Sequence, residues 1–105
     1  MEKIVDVELL AAAEVELLET VEWYNKQREG LGFEFAAEVN STIHRIVRNP
    51  QAWPELSKRS RRCLTNRFPY AVIYQFRKDS ILIVSIMHLR REPNSWRSRL
   101  SSHNQ

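Results

Sequence analysis

Apolar positions recur at steps of three and four in the first half of the chain and crowd into short runs in the second. Leu10, Ala13, Leu17, Val21 and Tyr24 fall on one face of a helix, predicted from Glu8 or Leu9 to about Arg28, a stretch without Gly or Pro. Glu14, Glu16, Glu19 and Glu22 fill much of the remaining surface. Gly30 and Gly32 bracket Leu31 and are expected to stop this helix. Phe35, Val39, Ile43 and Ile46 predict a second helix from about Phe33 to Arg48. Arg45 and Arg48 suit the negative pole of its dipole, and Asn49-Pro50 ends it, because the residue before proline disfavours helical backbone. The short connection predicts an antiparallel helical hairpin. Ahead of it, Lys3 to Val7 alternates weakly and reads either as a short edge strand or as the lead-in to the first helix.

After the loop PQAWPELSKRS (50–60) the period changes. Arg61 to Arg67 reads as a strand with Cys63 or Leu64 on its inner side. Tyr70 to Arg77 is rich in β-branched and aromatic residues. Lys78-Asp79-Ser80 is a turn, and Ile81 to His88 is apolar on both parities, as in a central strand covered on both faces. The spacing suits an antiparallel meander. The tail from Arg90 holds room for one or two helical turns with Pro93 near their start, and the last five residues, SSHNQ, should fray. The fold class expected is α+β, a helical hairpin on one face of a twisted, mainly antiparallel sheet of three or four strands, with a short C-terminal helix or tail. The opposite face is expected to be only partly covered, leaving apolar residues in want of a partner or the C-terminal tail.

Composition narrows the class. The chain has 105 residues, so one domain over 1–105 is expected. The apolar runs are far short of the roughly 20 residues of a membrane span, and the acidic start MEKIVDVELL does not resemble a secretory signal. One cysteine excludes an internal disulfide and any multi-cysteine metal site, which fits a reducing cytoplasm. Charge is unevenly placed. Residues 1–50 hold five Lys+Arg against ten Asp+Glu, and residues 51–105 hold eleven against three, giving the net +3. An acidic half and a basic half imply two faces, the basic one suited to a polyanion or an acidic partner or simply solvated.

Two glycines leave no room for a phosphate-binding glycine loop. His44, His88 and His103 lack metal-ligand spacing, so neither metal nor cofactor is expected. Cys63 reads as a small buried thiol rather than a nucleophile. What remains is a set of bases: Lys58, Arg59, Arg61, Arg62 and Arg67 around the first C-terminal strand, and His88, Arg90 and Arg91 at the end of the last. If these converge on one rim, arginine forks could hold a phosphate. Metal-free RNA cleavage would then use His88 as acid or base, with Arg67 and Arg91 on the phosphate. In the plainer reading His88 ends a buried strand.

The phrases WYNKQREGLG (23–32), IVRNPQAWP (46–54), FPYAVIY (68–74) and MHLRREPNSWRSR (87–99) together resemble the RelE/ParE superfamily of toxins from type II toxin–antitoxin modules, often called plasmid stabilisation proteins. The resemblance runs from about Leu10 to Arg99. It implies a small cytoplasmic protein neutralised by an antitoxin whose C-terminal segment wraps it. RelE-like members resemble ribosome-dependent mRNA endoribonucleases. Lys58, Arg61, Arg67 and His88 loosely match their site, while Trp96 stands where a C-terminal tyrosine would be, and Glu55 is the only carboxylate near a base position. ParE-like members resemble inhibitors that bind DNA gyrase and need no catalytic set. The WY…GLG pattern and the H-x-x-R ending look more like this branch, which is therefore the reading preferred. A third reading is an inert module that binds only its antitoxin, with Trp53 and Trp96 as interface anchors. Without antitoxin, an isologous dimer through the uncovered sheet face is also conceivable.

Overall fold

The computed structural model describes Ile4, residues 6–91, Trp96, Arg97 and Arg99. Its elements run β1 (Asp6–Leu9), α1 (Ala11–Gln27), α2 (Leu31–Arg48), β2 (Ser60–Leu64), β3 (Tyr70–Arg77) and β4 (Ser80–His88). They build two helices packed on a mixed four-stranded sheet of order β1-β4-β3-β2, an α+β fold. The β2, β3 and β4 strands form the expected meander, while β1 adds to β4 in parallel. The expected frayed end and Pro93 lie outside the described residues, as do Lys3 and Val5 of the weakly alternating segment.

Four boundaries depart from the sequence reading. The first helix begins at Ala11, not at Glu8 or Leu9, because Leu9 pairs with Ile83 and the Leu10 N–H donates to the Ile83 carbonyl (3.0 Å). Strand pairing overrides a helix-compatible run. Gly30 alone makes the break between helices, at φ +86°, where glycine is strain-free. Gly32 lies inside α2, which starts at Leu31 rather than Phe33. A Cβ there would run into the Val21 carbonyl and the Asn25 side chain, so it is the glycine that lets the helices touch. Its N–H donates to Asn25 Oδ1 (2.7 Å). Finally, β2 ends at Leu64. The chain turns over 65–69, where the Thr65 hydroxyl donates to the Phe68 carbonyl (2.6 Å), and Arg67 sits in that turn instead of on the strand.

The core lies between helices and sheet. Phe35, Val39 and Ile46 of α2 and Ala13 of α1 meet Cys63, Tyr70, Val72, Tyr74, Ile81, Ile83 and Ile86. Tyr24, Phe35, Phe68 and Tyr70 form an aromatic cluster with ring centroids 4.9–6.3 Å apart. Burial pushes the Cys63 thiol pKa up, with Arg45 opposing, which suits an inert core thiol. The opposite face of the sheet is expected to need a partner or the C-terminal tail, and the tail reaches it. Ile73, Leu82, Val84 and Met87 are buried there under Trp96, Leu10 and Leu56. Trp96 of the tail thus covers part of this face.

Candidate functional site

The site follows from where β1 stops. Its pairing with β4 ends at Leu9 and Ile83, so among the described residues the same edge of β4 beyond Ile83 has no neighbouring strand. A one-residue irregularity lies here, since Ile73 pairs with Ser85 but Tyr74 with Ile83. Helix α1 runs past this edge. Glu16 Oε1 accepts from the Ser85 hydroxyl (3.0 Å), the Ile86 N–H (3.0 Å) and Arg99 (2.9 Å), and Glu16 Oε2 accepts from Arg99 again (3.0 Å). Arg99 also donates to the Val84 carbonyl (3.1 Å). One carboxylate and one guanidinium thus close the first part of the open edge.

Among the described residues the edge stays open past Glu16 and becomes the floor of a groove of about 630 Å³. Glu16, Glu19, Thr20 and Trp23 of α1 form one wall, and Tyr70, Ile86, Met87, His88 and Arg91 form the rest. Because the Ile86 N–H faces α1, strand alternation turns the Ile86 carbonyl and the His88 N–H to the same side. The groove therefore combines backbone donor and acceptor groups with apolar side chains. Trp23 is 52% exposed.

His88 Nδ1 accepts from the Arg90 N–H (3.1 Å), which leaves the ring proton of the neutral form on Nε2. The ring meets Tyr70 edge-on at 5.0 Å. Burial lowers the His88 pKa, and Arg91 and Arg90 lower it further. Arg91 lies 3.5 Å from the Tyr70 hydroxyl. Burial and Tyr70 raise the Tyr24 pKa against the opposing charge of Arg91.

The bases expected on one rim are split instead. His88, Arg90 and Arg91 stand at the Tyr70 end of the sheet and Lys58 and Arg59 toward the Arg77 end, with Arg61 between them at the Tyr74 register. The length of β3 between its two ends corresponds to about 23 Å at strand rise. Arg67 is near the first group in sequence register but faces α2. Its guanidinium pairs with Glu34 (2.7 Å) and its N–H with the Glu38 carboxylate (3.0 Å). No hydrogen bond or ring contact among the described residues joins it to His88. Arg61 holds the preceding loop by donating to the carbonyls of Gln51 (3.2 Å) and Trp53 (2.7 Å) and to Glu55 (3.1 Å). Arg62 is half-buried at the Ile73 register, its N–H on the Pro54 carbonyl (3.0 Å). Trp53 is half-buried, with Arg45 stacked 5.6 Å from its ring. Trp96, expected as an interface anchor, is 1% exposed and packs on Ile73, Leu82, Val84 and Met87.

Glu16, Trp23 and Tyr70 had no place among the sequence candidates. Glu16 looks like any other acid on a solvated helix face, and nothing local signals its meeting with Arg99. Trp23 carried a signal, since it interrupts the polar side of α1. Chemically, the acidic α1 wall disfavours a phosphate backbone. The free strand edge and the apolar floor favour an extended polypeptide.

A family model described as "ParE toxin of type II toxin-antitoxin system, parDE" matches residues 7–93. A solved structure titled as the chromosomal ParDE TA system from P. aeruginosa has a chain of the same fold. The TM-score is 0.71 at 14% identity, over 83% of this chain and 98% of that one. No curated protein matches the chain. Among the described residues no helix is long and apolar enough to cross a membrane, and no group of three His, Cys, Asp or Glu side chains is placed to hold a metal ion.

Proposed function

The chain belongs to the ParE toxin family of type II toxin–antitoxin systems, and from that premise we propose that it arrests growth by binding its target rather than by cutting RNA. DNA gyrase in the cytoplasm is the target this reading names. A cognate antitoxin neutralises the toxin by laying an extended segment along the open edge of β4 and an apolar contact against Trp23.

The observation that carries the binding reading is the division of the bases. Cleavage of RNA without metal needs an acid, a base and cations around one phosphate. Here Lys58 and Arg59 lie before the start of β2, Arg61 pairs with Tyr74, about 13 Å along β3 from the Tyr70–His88 pair, and Arg67 is paired with Glu34. On the α1 wall of the groove beside His88, Glu16 is paired with Arg99, and Glu19 adds a negative charge that repels a phosphodiester.

Induced expression with transcript mapping tests this. Growth should stop with mRNA intact and with DNA breaks that disappear in a gyrase-resistant host. The triple variant Arg67→Ala, His88→Ala, Arg91→Ala should still kill wherever it folds. Codon-phased cuts that vanish in the triple variant would establish the RelE-like nuclease instead, and no arrest in several hosts would leave only an antitoxin-binding module.

A further inference from the structure

We propose that the pocket at the opposite end of the sheet, between the start of β2 and the end of β3, binds the phosphate group of a small molecule. The proposal does not depend on which target the toxin engages. The chain doubles back just before β2, where the N–H groups of Leu56 and Ser57 both donate to the Ser60 carbonyl (2.8 and 3.3 Å). That turn holds Lys58 and Arg59 over a cavity of about 350 Å³. Arg61 and Arg77 complete four cations around it. The one carboxylate in the lining, Glu55, is taken by Arg61 (3.1 Å). Lys58 and Arg59 are exposed and face no carboxylate among the described residues.

Two features separate this place from an ordinary solvated basic surface. First, its cations are partly fixed in position. Arg77 Nε and one of its terminal nitrogens donate to Gln75 Oε1 (2.9 and 2.6 Å), and Gln75 is itself 2% exposed. Arg61 is held by two carbonyls and Glu55. Donors fixed in advance bind an anion without a large ordering cost. Second, Ser60 is among the residues lining the pocket, and its hydroxyl is buried without a hydrogen-bond partner. Buried hydroxyls in native proteins nearly always have one. Once the Ser60 side chain turns toward the pocket, a phosphate oxygen supplies the acceptor it lacks. The concave shape and the volume, near the lower bound of small-ligand pockets, favour a small phosphate-bearing molecule over a nucleic-acid strand.

The test is a titration of the isotope-labelled full chain by NMR at fixed ionic strength, first with inorganic phosphate and then with ADP. Saturable shifts confined to residues 57–61 and 75–78 are expected. The double variant Lys58→Ala, Arg59→Ala should weaken binding at least tenfold, and Arg90→Ala should leave it unchanged. Ser60→Ala should weaken it several-fold without lowering the urea midpoint, since the hydroxyl removed had no partner to lose. ADP binding ten times tighter than phosphate would assign the phosphate to a nucleotide, and equal affinities would assign it to the free anion. Shifts that do not saturate, that chloride reproduces, or that survive the double variant would overturn the proposal. So would binding of duplex DNA alone with no response to Ser60→Ala.

Discussion

The two helices are nearly equal in length and use their surfaces differently. Helix α2 fully buries Gly32, Phe35, Val39, Thr42 and Ile46. Helix α1 fully buries only Ala13, and it leaves Val15 52%, Leu18 67% and Trp23 52% exposed. The cause is position. Helix α2 packs against α1, β2 and β3, whereas α1 packs on α2 along one side and skirts the unpaired edge of β4 along the other. One helix is scaffold throughout. The other is scaffold on one side and, on the other, a surface that keeps apolar groups in water. Phe33, at the first turn of α2, is that helix's own exposed exception.

The contrast predicts a graded series. Phe35→Ala, in the aromatic cluster, should destabilise by about 3–5 kcal/mol in urea unfolding; a loss below about 1 kcal/mol would show that α2 is not the scaffold described. Glu16→Ala should cost about 1–3 kcal/mol, because it strips acceptors from the Ser85 hydroxyl, the Ile86 N–H and Arg99 at once. A neutral outcome would mean that the open edge of β4 needs no closure.

The third expectation concerns His88, whose folded pKa lies below its ordinary 6.5. A depressed pKa gives stability that is present above 6.5 and is lost as pH falls through the folded midpoint. Arg91→Ala should raise that midpoint, read from the ring proton resonances. It should stay below 6.5, since burial is the larger cause and Arg90 persists. A midpoint that does not move would show that Arg91 does not act on the ring.

The helical hairpin and the meander were legible because periodicity is a local property. Ile81 to His88 announced a covered strand through apolar residues on both parities, and β4 is buried along almost its whole length. What escaped were long-range pairings. Nothing in Asp6–Leu9 says that it lies parallel to Ser80–Ile83, so the start of α1 was misplaced. The fate of the second sheet face depended on Trp96 folding back onto Ile73 and Met87, which no local pattern encodes. The bases looked like one cluster because the sequence lists them in two neighbouring groups. Antiparallel register sends the two groups toward opposite ends of β3, and Glu34, far away in the chain, claims Arg67.

The account rests on the outer side of α1 being a binding surface and not a part of the fold. Trp23→Ala tests this directly when its urea unfolding is measured alongside its affinity for the cognate antitoxin. Stability within about 0.5 kcal/mol of the parent, together with at least tenfold weaker antitoxin binding, is the predicted result. Unchanged affinity, or a loss of stability large enough to explain the weaker binding, would contradict it.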